Sequence, residues 1–420
     1  MVDGLDQNRQ RWFGLALIWA VFTVHGIDRS VVLLLLEPIR REFVLNDSQV
    51  GLISGLGYAL PFALAAVPVG ALADRVRRTR LLAGLLTVWS LLTALAGLAP
   101  SYALLVLARA GVGASEAGAP PTMLSLIGDS FDARSRPAAL AIYYTAPYAG
   151  LIGGSAVAGW IAQTHGWRAA LLVVGLPGVA LALIVAFLLR EPPRGHFATA
   201  SALPTPAASI PLALGFAWRS RELRRLIAAL VLGAFVALGV ASWVAVLLQR
   251  IYGFAPAHAG LATAAAVGVT GALGSLLGGV LAHRIGRGDP RRLSLLCGVT
   301  MLLALPLAIA APLMATPGPA IVLIGLWSLL FTTYIGPGWG LAIDATPPHM
   351  RATIMALALL LTNLIGAGLG PQTVGLLSDL LAGRGDAKHL QHAMALLPLV
   401  GLVSVALFLR RSTPSAILEE

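Results

Sequence analysis

Asp28, Arg29, Arg109 and Glu116 are ionisable residues set inside long apolar runs, where such groups suit the binding and release of protons. A carboxylate partly removed from water favours its neutral form, whereas a neighbouring arginine favours the ionised form, so a change of partner or access changes its proton affinity. Arg109 and Glu116 stand seven positions apart, two helical turns along one face. His25 precedes Asp28 by one turn on the same face, where an imidazole is able to share the proton. The same arginines suit a second chemistry, because the guanidinium forks of Arg29 and Arg109 could clamp a substrate carboxylate or phosphate. A third reading is static: Asp28 with Arg109, or Arg29 with Glu116, joins two helices as a neutralised pair.

These residues need elements that hold charge inside hydrocarbon. The chain has 420 residues, 58% hydrophobic and 11% charged, against roughly 25% charged in a soluble domain. A soluble fold is excluded. A spanning helix takes about 20 mostly apolar residues, and twelve such runs are found, at 12 to 36, 48 to 73, 81 to 99, 102 to 127, 137 to 162, 167 to 189, 226 to 249, 258 to 282, 293 to 311, 319 to 342, 352 to 380 and 393 to 409. At about 1.5 Å per residue, Asp28 lies roughly 24 Å from one face in span one and Arg109 about 10 Å from the opposite face in span four. In a core of about 30 Å these depths are similar, and Glu116 lies roughly 10 Å deeper than Arg109. The interiors of spans seven to twelve hold no comparable charge.

The runs divide into halves at the polar connection Arg190 to Arg225. An N-terminal bundle of 1–189, a linker loop of 190–225 and a C-terminal bundle of 226–420 are therefore expected. Gly70-Ala-Leu-Ala-Asp74-Arg75 ends span two, and Gly279-Val-Leu-Ala-His283-Arg284 ends span eight, 209 positions later. Asp129 and Arg136 after span four pair with Asp344 and Arg351 after span ten, 215 positions later. A duplicated six-helix unit is a common transporter plan, with substrate held near the midplane between repeats. The net charge of +11 comes from short arginine clusters between apolar runs, which speaks for membrane orientation and not for nucleic acid. Most of these arginines fall on one side if both termini are cytoplasmic. Cys297, the single cysteine, is expected to pack in the core, and Met1 to Gln10 show no cleavable signal pattern.

Gly70-Ala-Leu-Ala-Asp74-Arg75-Val-Arg-Arg78-Thr-Arg80 resembles the loop signature between helices two and three of the major facilitator superfamily, and Gly279 to Arg287 resembles its second-half counterpart. Arg77 stands where the signature usually has Gly, and His283 where the second copy often has Asp. Within the superfamily the chain is most similar to the spinster-type branch, through Asp28-Arg29, Arg109 with Gly113-Ala-Ser-Glu116-Ala, Gly128-Asp-Ser-Phe with Arg136, and Asn363 to Pro371. The resemblance covers most of the chain. It implies an all-α membrane protein of twelve transmembrane helices in two pseudo-symmetric six-helix bundles, working by alternating access and usually proton-linked. Animal members of that branch move lysolipids or sphingoid lipids. The anion:cation symporter branch also places charges in spans one and four.

From these readings Asp28, Glu116, Arg109, Arg29 and His25 are expected to carry proton coupling. Arg109, Tyr143, Tyr144, Tyr148, Trp243, Tyr334 and Asn363 are the polar or aromatic residues expected to meet substrate near the midplane. Asp74, Arg75, Arg78, Asp129 and Arg136 are expected to form a cytoplasmic gate, since a carboxylate is favoured at a helix start and beside arginine, and the resemblance implies that Asp74 latches towards Arg136 or the start of span eleven. Gly150, Gly153 and Gly154, Gly268 to Gly278, and Gly366 to Gly370 offer small faces for close helix approach.

The expected protein is a monomeric secondary transporter in a bacterial inner membrane, with partners limited to the bilayer, protons and a small amphipathic substrate, which the resemblance implies is a lysolipid or sphingoid-type lipid. No nucleic acid, metal or cofactor is expected, and a proton gradient is the driving force. The alternative is a proton-linked symporter of small organic anions. A scramblase, a channel or a membrane-embedded enzyme is a lesser rival, since His-Glu-x-x-His, Gly-x-Ser-x-Gly and P-loop patterns are absent.

Overall fold

A computed structural model describes residues 2–132, 134–194, 210–286, 289–385 and 388–410, with the side chains of residues 2–8, Asp74, Pro137, Ile210, Pro348 and Ala352 left outside the description. Within these residues the chain is helical and contains no strand. The first helix, α1 (Val2–Phe43), has 42 residues and at about 1.5 Å per residue measures about 60 Å. Asn46 then caps the next helix. Its side chain accepts the Gln49 N–H at 2.8 Å, and the Gln49 side chain accepts the Asn46 N–H at 3.0 Å, which satisfies two donors that a helix start leaves open. That helix is α2 (Asp47–Ser54), and after Gly55 it continues as α3 (Leu56–Arg75). The third span is α4 (Arg78–Ala96).

The fourth span is interrupted. Its first part, α5 (Tyr102–Glu116), stops short of α6 (Ala119–Ser130), because Pro120 and Pro121 supply no N–H to the carbonyls of Glu116 and Ala117. Glu116 thus sits in the last turn of a half-helix. Pro147 acts in the same way on the fifth span, dividing α7 (Arg136–Tyr143) from α8 (Ala146–Leu188). The fifth and sixth spans join within α8 at Gly166, whose φ of 83° suits a residue without a Cβ. Among the described residues, ten helices are long and apolar enough to cross a membrane. The broken fourth span and the joined fifth and sixth account for the difference from twelve.

The remaining helices are α9 (Ile210–Arg219), α10 (Arg221–Arg250), α11 (Pro256–Thr263), α12 (Thr270–Leu281), α13 (Pro290–Ala310), α14 (Pro317–Thr332), α15 (Ile335–Asp344), α16 (Arg351–Leu361), α17 (Gly370–Ala382), α18 (His389–Leu396) and α19 (Gly401–Leu409). The irregularities of the first half return in the second. Gly55 corresponds to the start of a π-helical stretch at Ala264–Val269, and the gap after Glu116 corresponds to the gap after Thr332. A shared hydrogen bond is more specific. Arg136 Nε donates to the Phe131 carbonyl at 3.2 Å, and 215 positions later Arg351 Nε donates to the Thr346 carbonyl at 3.1 Å. The repeat seen in sequence is therefore also a repeat of local structure.

Two compact units result, one of residues 1–203 and 244–264, the other of 204–243 and 265–420. The last turns of α10 and all of α11 belong to the first unit. Gln249 Nε2 donates to the Leu34 carbonyl at 2.8 Å, and a Cβ on Gly159 would stand 2.9 Å from Ala257 Cα. The core of this unit gathers Leu15, Ile18, Leu86, Trp89, Met123 and Phe131. Within the second unit, Ser404 Oγ donates to the Ala229 carbonyl at 2.7 Å and Ser294 Oγ to the Phe408 carbonyl at 2.5 Å. Leu64, Val67, Phe187 and Leu276 point outward and exposed, as side chains facing acyl chains do.

Candidate functional site

Close packing of α1 on α8 and of α5 on α3 brings the charged residues of the first unit together. The Thr23 carbonyl stands so close to Gly150 that no Cβ would fit there, and a Cβ on Gly26 would stand 2.9 Å from Pro147. Gly113 lies against the Tyr58 carbonyl with no room for a Cβ. Glu116, with 0% of its surface exposed, receives the Tyr58 hydroxyl on Oε2 at 2.5 Å. His25 Nδ1 stands 3.2 Å from the same oxygen. Its ring stacks on Phe22 and meets Trp89 edge-on. His25 therefore sides with Glu116, which helical spacing alone did not indicate.

Asp28 is 1% exposed, and neither of its carboxyl oxygens makes a hydrogen bond. The Thr93 hydroxyl and Trp89 indole of α4 face it together with Arg109, yet Thr93 Oγ1, Trp89 Nε1 and Arg109 Nε are themselves without hydrogen-bond partners. The guanidinium carbons of Arg29 and Arg109 each lie 5.1 Å from the Tyr58 ring centroid. Neither static pair closes: Asp28 and Arg109 form no ion pair, and Glu116 engages Tyr58 and His25 in place of Arg29. Buried polar groups left open in this way mark places where water, protons or a ligand complete the bonding.

A second cluster occupies the basic end of the unit. Arg78, 3% exposed at the start of α4, donates to Glu191 Oε1 at 2.8 Å, to Ser125 Oγ at 2.8 Å, to the Pro192 carbonyl at 2.9 Å, and to Asp129. The Thr79 N–H reaches Glu191 Oε2 at 2.9 Å. A carboxylate at a helix start both satisfies an open N–H and faces the positive end of the helix dipole. Burial pushes the Glu191 carboxyl up, but the bonds from Thr79 and Arg78 prevail and hold it below the ordinary glutamate range. Of the expected gate residues, Arg78 and Asp129 meet here. Arg136 instead donates to the Gly128 carbonyl at 2.9 Å and to that of Phe131. Arg75 is exposed along a groove of about 530 Å³ shared with Arg77 and Arg194, and the Asp74 side chain lies outside the described residues.

At the opposite end Glu37, 1% exposed, accepts bonds from Arg40, Arg41 and Arg250 at 2.9 to 3.0 Å. Arg250 also donates to both Asp47 oxygens, at 2.8 and 3.0 Å. The aromatic residues expected to line a substrate path are distributed differently. Tyr143 is buried and stacks on Phe22 at 4.3 Å; Tyr144 is exposed and Tyr148 half-buried. In the second unit the Trp243 indole donates to the Pro371 carbonyl at 3.0 Å. Tyr334 packs on Phe331 and Phe408, and Asn363 Nδ2 donates to the Leu359 carbonyl at 3.0 Å. For Tyr143, Trp243 and Tyr334 these are the contacts of a packed core. Tyr58, Trp89, Thr93 and Glu191 were not singled out from sequence. The three span residues carry no charge to draw the eye, and Glu191 lies in a connection without periodicity.

Residues 18–371 match the model of the Major Facilitator Superfamily. A curated relative from Mycolicibacterium smegmatis, an MFS-type efflux pump, is 29% identical over 94% of this chain and 91% of its own length. Human protein spinster homolog 1 is 28% identical over 97% of this chain and 81% of its own. Among solved structures, a bacterial homolog of the human lysosomal transporter spinster, in an inward-facing and unoccupied conformation, superposes with a TM-score of 0.87 at 27% identity, covering 95% of this chain and 96% of that one.

Proposed function

Because the chain belongs to the Major Facilitator Superfamily and is a multi-pass membrane transporter, not an enzyme, we propose that it is a proton-coupled secondary carrier of an amphipathic organic substrate. The observation that supports this reading is the difference between two buried carboxylates of the first unit, Glu116, bonded to Tyr58 and beside His25, and Asp28, which faces Thr93, Trp89 and Arg109 without an ion pair. Two carboxylates in such different surroundings suit proton uptake at one and release at the other as access to water changes. Relatives named as spinster homologs favour a lysolipid or sphingoid-type lipid, and the efflux-pump relative favours export. Arginine placement favours a bacterial inner membrane with both termini cytoplasmic, the Arg78 cluster then belonging to a cytoplasmic gate with Asp74.

A second reading, transport of small organic anions, has its own support. Arg29 and Arg109 approach one aromatic ring and neither has a carboxylate within ion-pair reach among the described residues. Both readings share a negative headgroup. The test is purified protein in liposomes under a pH gradient, with lysophospholipids and small carboxylates offered in turn. Asp28→Asn and Glu116→Gln are each expected to abolish gradient-driven uptake and substrate-induced proton movement. Retention of both activities in both variants would overturn the proton-coupled reading.

A further inference from the structure

Three charged side chains meet at one neutral residue, Tyr58 of α3. Its hydroxyl donates to Glu116 Oε2 at 2.5 Å. The guanidinium groups of Arg29, from α1, and Arg109, from α5, both approach its ring at 5.1 Å. The side chain is buried, and its backbone is fixed by Gly113, which has no Cβ to push α3 away from α5. The ring of Phe62 tilts against it at 5.8 Å. The charged and titratable groups around Glu116 are His25, Asp28 and Arg29 on α1, Tyr58 on α3 and Arg109 on α5. Helix α4 adds only the neutral Trp89 and Thr93.

We propose that Tyr58 is a positioning residue that links the charge of Glu116 to the two arginines, so that a proton on Glu116 and an anionic headgroup at Arg29 and Arg109 favour each other's binding. The proposal rests on the proton-coupled reading of Glu116. A cation is drawn to the negative face of an aromatic ring, so the phenol holds two like charges near each other in an interior where they would otherwise separate. The Glu116 carboxylate, bonded to the rim of that ring, supplies the compensating charge. When Glu116 takes up a proton, the phenol oxygen is able to accept from the new carboxyl O–H. The bond survives and the negative charge is gone. The arginines then gain most from a phosphate or carboxylate on the substrate, since arginine forks match those groups. One proton enters with one headgroup charge, and release of either weakens the hold on the other, as linkage requires.

Two variants separate the ring from the hydroxyl. In infrared spectra of purified protein at low pH, the carboxyl stretch of Glu116 is identified by its loss in Glu116→Gln. Tyr58→Phe, which keeps the ring, is expected to shift the frequency of that band, because the phenol hydroxyl bonded to the carboxyl is gone. Its affinity for lysophosphatidylglycerol at low pH should stay at the wild-type value. Tyr58→Leu should shift the band and also weaken lysophosphatidylglycerol binding about tenfold, with binding of neutral monoacylglycerol unchanged. An unshifted band in Tyr58→Phe, no Glu116 band in the wild type, or wild-type affinity in Tyr58→Leu would each overturn the proposal. If Tyr58→Phe shifts the band but wild-type liposomes transport without protons, the proton-coupled reading fails and the positioning role stands. If transport is proton-coupled and the band does not shift, only the role of Tyr58 fails.

Discussion

Arg109 is where clamp and coupling divide. It is buried, leaves Nε without a partner and touches the face of Tyr58. As a headgroup ligand, Arg109→Ala should lower affinity for lysophosphatidylglycerol by about tenfold or more, roughly 1.4 kcal/mol, and leave a neutral monoacylglycerol unaffected. Equal losses for both probes in a binding titration would assign Arg109 to structure alone. The four intramembrane charges were legible in sequence because hydrocarbon penalises charge, so each one there calls for a reason. Tyr58 was not legible, since a phenol in an apolar run carries no such penalty. Glu191 was hidden differently: its partner Arg78 is 113 positions away, and nothing local to either residue predicts their meeting.

The element that joins the basic end is the first turn of α4. Arg78 binds two carboxylates, Asp129 and Glu191, while almost wholly buried, and removing one member of a buried cluster leaves the rest uncompensated. Arg78→Ala is expected to destabilise the protein by about 3–5 kcal/mol, read as a lower thermal midpoint in detergent; an unchanged midpoint would show that the cluster carries no stability. The Glu191 carboxyl is held below its ordinary range. Its contribution is thus complete above the unfolded glutamate pKa of about 4.3 and is lost as pH falls through the lower folded value. Glu191→Gln should accordingly lower the thermal midpoint at pH 6 and converge on the wild type in stronger acid, and a difference independent of pH would contradict that assignment. At this scale, runs of apolar residues were enough to find the spans. They did not reveal the breaks at Glu116 and Tyr144, because an average over hydropathy takes no account of the N–H that Pro120, Pro121 and Pro147 lack.

Across the whole molecule the duplication was legible as motif offsets, and the paired Arg136 and Arg351 bonds give it physical content. Arg136→Ala and Arg351→Ala should each cost about 1.5–3 kcal/mol, the range for hydrogen bonds to charged groups. Unequal losses in thermal unfolding would mean the two copies use the arginine differently. What the sequence boundaries did not anticipate is the membership of Val244–Ala264 in the first unit. That segment is tied by Arg250 to Glu37 and Asp47 and by Gln249 to Leu34, residues more than 200 positions away with no sequence mark of their pairing. The same ties explain why Arg40, Arg41 and Arg250 stand at the end poor in arginine: all three answer one buried carboxylate.

The paired arginine bonds also separate what the two halves share from what they do not. The same contact recurs 215 positions later, so the arginine at that helix start serves a scaffold common to both halves. Asp28, Arg109 and Glu116 have no charged counterparts in the second copy's span interiors. The intramembrane charge is therefore confined to one half of a repeated frame, and the other half supplies the frame without it.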